Sequence, residues 1–449
     1  MRSLDKYLGV HRLRTREPFL SYIKKWVLIS TGLGLLTGVV AALFDYVTNL
    51  ALWNYSSTLF TRDPLLIIPF LFVGLLLSGF LLSRSSRPVA SGTEEVVEVY
   101  NNPAARLDER SFPLKMLAAI ATIGLGGSAG MEGPSVYAGG VVGSWVWRKL
   151  RRFRLNDVDR RTLILAGAAA GIGAIFKAPL TGTVFALEVP YKDDLAHDAL
   201  VPSLVASVTS YVTLIVIDGP EPIFKFPAIL TLSLVDVAAS ALLGLLVGVA
   251  ALVFILTSNI VAGQLGRFGA KFYYKATIGA GVLSIIGIIS VWLFHSPYPL
   301  GISYTLIGLS LTPKTFTGTL LALFAMKLVA TSFTLGSTGV GGIFIPQIVM
   351  GASLGGLFGE AFFPSRLALF VAVGMASFLA AGYKTPLAAV TFVAETAGGP
   401  AYLIPSLVAA AVSYSISGEA SVSTHQKLSD EVDRKRLTYP AGDVLHSAS

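Results

Sequence analysis

The chain contains part of itself twice, one copy in strongly basic and the other in neutral surroundings. Shifted by 212 residues, Gly124, Gly127, Gly130, Pro134, Gly139 and Gly143 fall on Gly336, Gly339, Gly342, Pro346, Gly351 and Gly355, and Lys115 falls on Lys327. At a shift of 207, Phe176-Lys177-Ala178-Pro179-Leu180 meets Tyr383-Lys384-Thr385-Pro386-Leu387, with Phe185 on Phe392 and Glu188 on Glu395. Glycine alone, 45 of 449 residues, would match often by chance. Matched Pro, Lys and Glu in the same order would not, so the spacing indicates a duplication carrying a five-residue indel. The loop between the two matched blocks holds Arg148, Lys149, Arg151, Arg152, Arg154, Arg160 and Arg161 in the first copy, but Glu360 and Arg366 in the second. If the basic loop is cytoplasmic, its twin lies on the other side of a membrane, which makes the repeat an inverted one.

That a membrane is involved follows from the apolar runs. Crossing the hydrocarbon core takes about 20 mostly apolar residues. Trp26 to Phe44, Pro64 to Ser83, Ala199 to Ile217, Val237 to Gly266 and Thr396 to Gly418 are charge-free stretches of about that length. The composition agrees, at 53% apolar, 13% charged and a mean hydropathy of +0.70. Barrel strands would alternate over about 10 residues, whereas these runs are continuous. The expectation is an all-α polytopic membrane protein, an inverted-topology repeat of two halves with broken, re-entrant helices.

The first 25 residues are polar and basic, and no short apolar core ends at a small-residue cleavage site, so no cleaved signal is expected. The net charge of +8 clusters at the chain start and in loops beside apolar runs, which favours membrane orientation over nucleic-acid binding. Four segments are expected: a cytoplasmic basic segment at 1–25 with an interfacial amphipathic helix, a first half at 26–220, a second, inverted half at 231–426, and a short cytoplasmic tail at 427–449. Both termini are then cytoplasmic. Without cysteine there is no thiolate chemistry; His295 and His425 lack metal-ligand spacing, and no nucleotide loop or nucleophile elbow appears. No cofactor and no enzymatic activity are expected.

Segments near the matched motifs look too short to cross. Gly133 to Trp147 gives 15 charge-free residues and Ala178 to Leu187 only 10. Half-helices of this kind are tolerated at membrane depth where protein or water surrounds them, and their N-termini can aim at a bound anion. Gly130-Met131-Glu132-Gly133-Pro134 places a carboxylate between glycines at such a helix start. Free amides and the helix dipole favour an anion there, and equally favour ionised Glu132. Carboxylate and ligand therefore compete for one position, which describes a gate. The twin, Gly341-Gly342-Ile343-Phe344-Ile345-Pro346, has Phe344 where the first copy has Glu132 and offers amides without a competing carboxylate.

These two motifs resemble the G-(K/R)-E-G-P and G-x-F-x-P signatures of the CLC family of chloride channels and proton/chloride antiporters, in the family's order. Val89-Ala90-Ser91-Gly92-Thr93 resembles its first element, and the segment Ala178-Pro179-Leu180 through Glu188 resembles the stretch leading to its internal proton site. The similarity runs from about Trp26 to Gln426. It implies chloride, as substrate, bound by the Ser91 hydroxyl, by amides at Ile343, Phe344 and Ile345 and near Gly133, with Glu132 as external gate and proton carrier. It implies a homodimer packed through helices around 179–218 and 386–417, and proton-coupled chloride exchange. Passive chloride conduction and, behind it, fluoride export are the alternatives.

The chain departs from the family pattern at four places. Met131 stands where the family has a basic residue, and Thr93-Glu94 where it has a proline. Val422 stands where a tyrosine would offer its hydroxyl to the central ion, which implies weaker central binding, and Tyr414 is expected in the preceding helix instead. Val189 replaces the internal proton glutamate, leaving Glu188, Asp193, Asp194 and His197 as candidates for internal proton entry. Lys177 and Lys384 are read as satisfying carbonyls at helix junctions or snorkelling. Lys115 and Lys327 are read as interfacial anchors or as sources of positive potential. The residues after Gln426 are too few for the cytoplasmic regulatory pair some members append.

Overall fold

A computed structural model describes residues 19–429 apart from 103, 154, 228–230, 270 and 398. The expected amphipathic N-terminal helix and most of the tail lie outside the described residues. Among those described there is no β-strand, only isolated bridges.

The first half contains α1 (Phe19–Asp45), continued by a π-helical stretch (Tyr46–Trp53) into α2 (Asn54–Arg62), then α3 (Ile67–Ser83), α4 (Gly92–Asn101), α5 (Phe112–Gly124), α6 (Glu132–Leu150), α7 (Asp157–Ile175), α8 (Pro179–Glu188) and α9 (Leu200–Asp218). The second contains α10 (Leu234–Gly266), α11 (Phe272–Phe294), α12 (Tyr304–Ser310), α13 (Thr317–Gly336), α14 (Phe344–Phe362), α15 (Leu367–Tyr383), α16 (Pro386–Thr396) and α17 (Leu403–Ile416). The matched sequence blocks become matched elements, α5 to α9 against α13 to α17.

The repeated glycines are points where helix backbones touch. A Cβ on Gly139 of α6 would lie 1.9 Å from the Gly167 carbonyl oxygen of α7, and one on Gly351 of α14 would lie 2.2 Å from that of Gly374 in α15. Where lipid is the solvent there is no hydrophobic force between helices, and close packing of small residues takes its place. The two pairs, α6 with α7 and α14 with α15, accordingly form the interior. The stretch Pro364–Tyr383, which contains α15, is 83% buried over its most apolar window, against 33% for His197–Asp218, which contains α9. The outer helices turn apolar side chains outward instead, Val216 81%, Leu234 89% and Trp292 69% exposed, as lipid contact requires.

Among the described residues, seven helices are long and apolar enough to cross a membrane. Two sequence expectations need correcting. Thr396 to Gly418 does not form one span: the chain breaks after α16, turns at Pro400–Tyr402, and α17 has only 14 residues. Conversely α6 is not a 15-residue stub, because the helix runs from Glu132 to Leu150 and takes in Arg148 and Lys149 in its last turn. Charge-free length underestimated it, since cations at a helix C-terminus complement the dipole.

Candidate functional site

The two glycine motifs meet. The Gly130 amide donates to the Gly342 carbonyl at 2.9 Å and the Gly342 amide donates back to Gly130 at 2.8 Å. This bridge sets the N-termini of α6 and α14, one from each half, against each other. Glu132, the first residue of α6, has no exposed surface. Its Oε1 accepts hydrogen bonds from the Phe344 amide at 2.5 Å and the Ile345 amide at 3.3 Å, so the carboxylate of one half sits on the helix start of the other, the position an anion would take. Its Oε2 is buried without a hydrogen-bond partner. Glycine is required at Gly342, where a Cβ would lie 2.6 Å from the backbone nitrogen of Gly133.

Both halves also supply the wall. The Phe344 ring packs on Phe176 at 4.8 Å, Phe185 at 5.3 Å and Phe392 at 5.2 Å. In so apolar a cage each amide acts on charge with little screening.

The expected anion ligands come together in part. Phe344 and Ile345 present their amides as described, and Gly133 lies against Gly341 and Gly342, its hypothetical Cβ 3.0 Å from the Gly341 oxygen. Ser91 caps α4, its Oγ accepting from the Glu94 amide at 3.4 Å. Its neighbour Gly92 packs so tightly on Gly133 that a Cβ would lie 2.3 Å from the Gly133 oxygen.

Sequence reading missed Tyr383. Val422 donates no hydroxyl, as expected; its amide bonds the Gly382 carbonyl at 2.9 Å. Next to that carbonyl, at the end of α15, Tyr383 is buried, its ring 5.5 Å from that of Phe185 and its hydroxyl turned toward the Thr93 side chain and the Ile343 backbone amide. Thr93 Oγ1 is itself buried without a close hydrogen-bond partner. A tyrosine hydroxyl thus faces the centre from a different helix than the family pattern implies. The only sequence signal was the alignment of Tyr383 with Phe176, which reports a ring but not where its hydroxyl points. Gln347 of α14 is also buried here, with both amide atoms unpartnered and Gly382 beside it.

The expected proton-entry residues separate. Glu188 Oε1 and Oε2 accept from the amides of Leu387, at 2.9 Å, and Ala388, at 2.7 Å, at the start of α16. Glu395 does the same for α8, accepting from Leu180 at 2.9 Å and Thr181 at 2.7 Å. Each half caps the other's short helix, so Glu188 is committed to its cap. Asp193 accepts from the Tyr414 hydroxyl. Asp194 accepts from the Leu195 amide at 2.7 Å, and with His197 and Asp198 it lines a small surface cavity. Val189 is buried.

The repeat lysines are all engaged. Lys115 pairs with Glu95 inside the protein, with Asp108 at 4.0 Å. Lys327, fully buried, donates to Ser303 Oγ at 2.7 Å and to the Gly301 carbonyl at 3.1 Å. Neither is an interfacial anchor. Lys177 and Lys384 adopt φ of 50° and 59° at helix ends and reach carbonyls there, those of Gly219 and Glu221 and that of Tyr414.

Comparison with known proteins agrees with this architecture. Residues 73–418 match the family described as voltage gated chloride channel. An uncharacterized protein of Methanocaldococcus jannaschii is 27% identical over 406 residues, which span 89% of this chain and 95% of that one. The H(+)/Cl(-) exchange transporter ClcA of Salmonella arizonae is 27% identical over 401 residues, 85% of this chain and 83% of its own. Among solved structures, a CLC-type fluoride/proton antiporter superposes with a TM-score of 0.79 at 25% identity, covering 92% of this chain and all of that one.

Proposed function

Since the chain belongs to the CLC family of voltage gated chloride channels, we propose that it exchanges chloride for protons across the membrane through a gate formed by Glu132. The observation that carries this reading is the bond from the Phe344 amide to Glu132 Oε1, 2.5 Å long. While Glu132 is ionised it occupies the anion position on α14; protonation or an incoming anion displaces it. One group then answers to both substrates, and chloride and proton cannot ignore each other. Chloride fits the lining, since a large, weakly hydrated anion exchanges water for several neutral donors without being trapped by a cation. The halves at 26–220 and 231–426 act as inverted repeats around this centre, with both termini cytoplasmic. Two copies pair through helices near 179–218 and 386–417, where Leu180, Val212, Leu387 and Leu407 stand exposed.

Fluoride is the competing substrate, named for the similar antiporter. Efflux of chloride and fluoride from proteoliposomes, measured side by side with electrodes, decides between them. Chloride should move faster; preferential fluoride efflux would contradict the assignment.

The Tyr383 hydroxyl, with the amide of Ile343, takes the place of the donor absent at Val422. A lost neutral hydrogen bond costs about 0.5–1.5 kcal/mol, so Tyr383→Phe should weaken chloride binding roughly two- to tenfold. Calorimetric titration of the detergent-solubilised protein measures this, and equal affinity would remove Tyr383 from the site.

A further inference from the structure

If Glu132 exchanges protons with the central cavity, protons must reach it from the other face, and the expected residues do not lead there: Val189 has no proton to give, Glu188 is held in a helix cap, Asp193 is bound by Tyr414, and Asp194 and His197 line a surface cavity. Another carboxylate stands against residues 424 and 425, on the face read above as cytoplasmic. Glu94 stands in the first turn of α4, with a side chain 14% exposed. Its Oε2 accepts from the Thr424 amide at 2.9 Å and hydroxyl at 3.0 Å, and meets His425 Nδ1 at 3.0 Å. His425 is the wet end of this cluster, 44% exposed.

The cluster continues inward. Thr93, adjacent to Glu94 in the chain, is fully buried with an unpartnered hydroxyl, and the Tyr383 hydroxyl faces it. Tyr383 in turn faces the Ile343 amide, and the amide of the next residue, Phe344, holds Glu132. Gln426, next to His425, fixes the same turn by donating to the Tyr383 carbonyl at 2.8 Å. Exchangeable groups are thus ordered from water toward the gate: His425 in contact with Glu94, Thr93 beside Glu94 in the chain, then Tyr383, with the Ile343 and Phe344 amides between it and Glu132.

The geometry points to Glu94, loaded through His425, as the internal proton donor and acceptor that replaces the missing glutamate at Val189. This rests on the exchange reading. Each inward step moves one proton. Imidazolium at His425, recharged from water, passes its proton to the Glu94 carboxylate. Glu94 passes it to a hydroxyl, and Thr93 and Tyr383 each accept one proton as they release their own, until the carboxylate of Glu132 takes it. Chloride travels the other way. The charged groups around the pair are Arg87 and Glu98, which are bound to each other at 2.8 Å, and the titratable neighbour on the inner side is Tyr383. Burial works to raise Glu94, but hydrogen bonds from His425 and Thr424 outweigh it and hold the carboxyl below its ordinary range. The bond to Glu94 is the main cause that raises His425. Of the two groups the imidazole therefore holds the proton to higher pH, and the store empties as internal pH rises.

Proteoliposomes under an outward chloride gradient, with chloride and pH recorded together, test the assignment on wild type, Glu94→Gln, Glu94→Asp, His425→Asn and Glu98→Gln. Glu94→Gln should lose proton movement while chloride still leaves, Glu94→Asp should restore it in part, and Glu98→Gln should remain coupled. Proton movement in Glu94→Gln equal to wild type would overturn the inference and leave the exchange reading intact. Parallel loss of chloride and proton flux in a natively eluting Glu94→Gln would also overturn it, because the role would not be specific to protons. If wild type moves no protons at all, the exchange reading fails and this falls with it. Should Glu94→Gln not fold, His425→Asn decides: it should flatten the dependence of proton flux on internal pH, and an unchanged profile would sink the idea.

Discussion

In reconstituted vesicles, Glu132→Gln should reduce coupled proton movement to background while chloride still crosses. Glutamine keeps the shape of the side chain and can accept from the Phe344 amide, yet it has no proton to take up or release near neutral pH. Proton transport should therefore vanish because the carrier is gone, and the aromatic cage of Phe176, Phe185, Phe344 and Phe392 around the position should be undisturbed. Glu132→Ala should go further. It vacates the two amides at the start of α14, an unoccupied anion position on a helix N-terminus, so an additional bound anion and faster chloride efflux are expected. Halide counting in crystals of the alanine variant and efflux rates measure these. Proton coupling retained in both variants would remove Glu132 from the gate.

The second large effect is on stability. Glu188→Ala or Glu395→Ala should each cost about 3 kcal/mol, because two helix-start amides lose their acceptor together and each unsatisfied donor costs about 1–3 kcal/mol. Thermal unfolding in detergent, followed by size-exclusion elution, should show both variants melting well below wild type. Asp193→Ala, on a surface loop, should melt close to it. The two capping variants should lose similar amounts, since the caps are related by the repeat. A Glu188→Ala protein as stable as wild type but unable to move protons would return Glu188 to the proton path.

The architecture was legible because a repeat imposes its own geometry. Glycines at matched positions marked the duplication, and in the fold Gly139 on Gly167 and Gly351 on Gly374 are helix contacts. A basic loop with a neutral twin implied inversion, and the two glycine motifs meet in the Gly130 to Gly342 bridge. What stayed hidden was pairing across the halves. Nothing local to Glu188 shows that it caps a helix 199 residues away. Tyr383 reads as a buried ring at a helix end, and its hydroxyl becomes relevant only once Thr93 and Ile343 are folded against it. Charge-free length misjudged α6 and the stretch ending in α17, because a helix boundary follows capping and chain breaks rather than the next charged residue.

The most direct test of chloride-proton exchange is the pH of the medium around wild-type proteoliposomes loaded with high chloride and diluted into low chloride, with the membrane potential clamped at zero by valinomycin and equal potassium. Exchange predicts that chloride leaving the vesicles draws protons inward, so the medium becomes alkaline with no voltage to drive it. Chloride efflux with no change in external pH under that clamp would contradict it, and would make the pore a passive one.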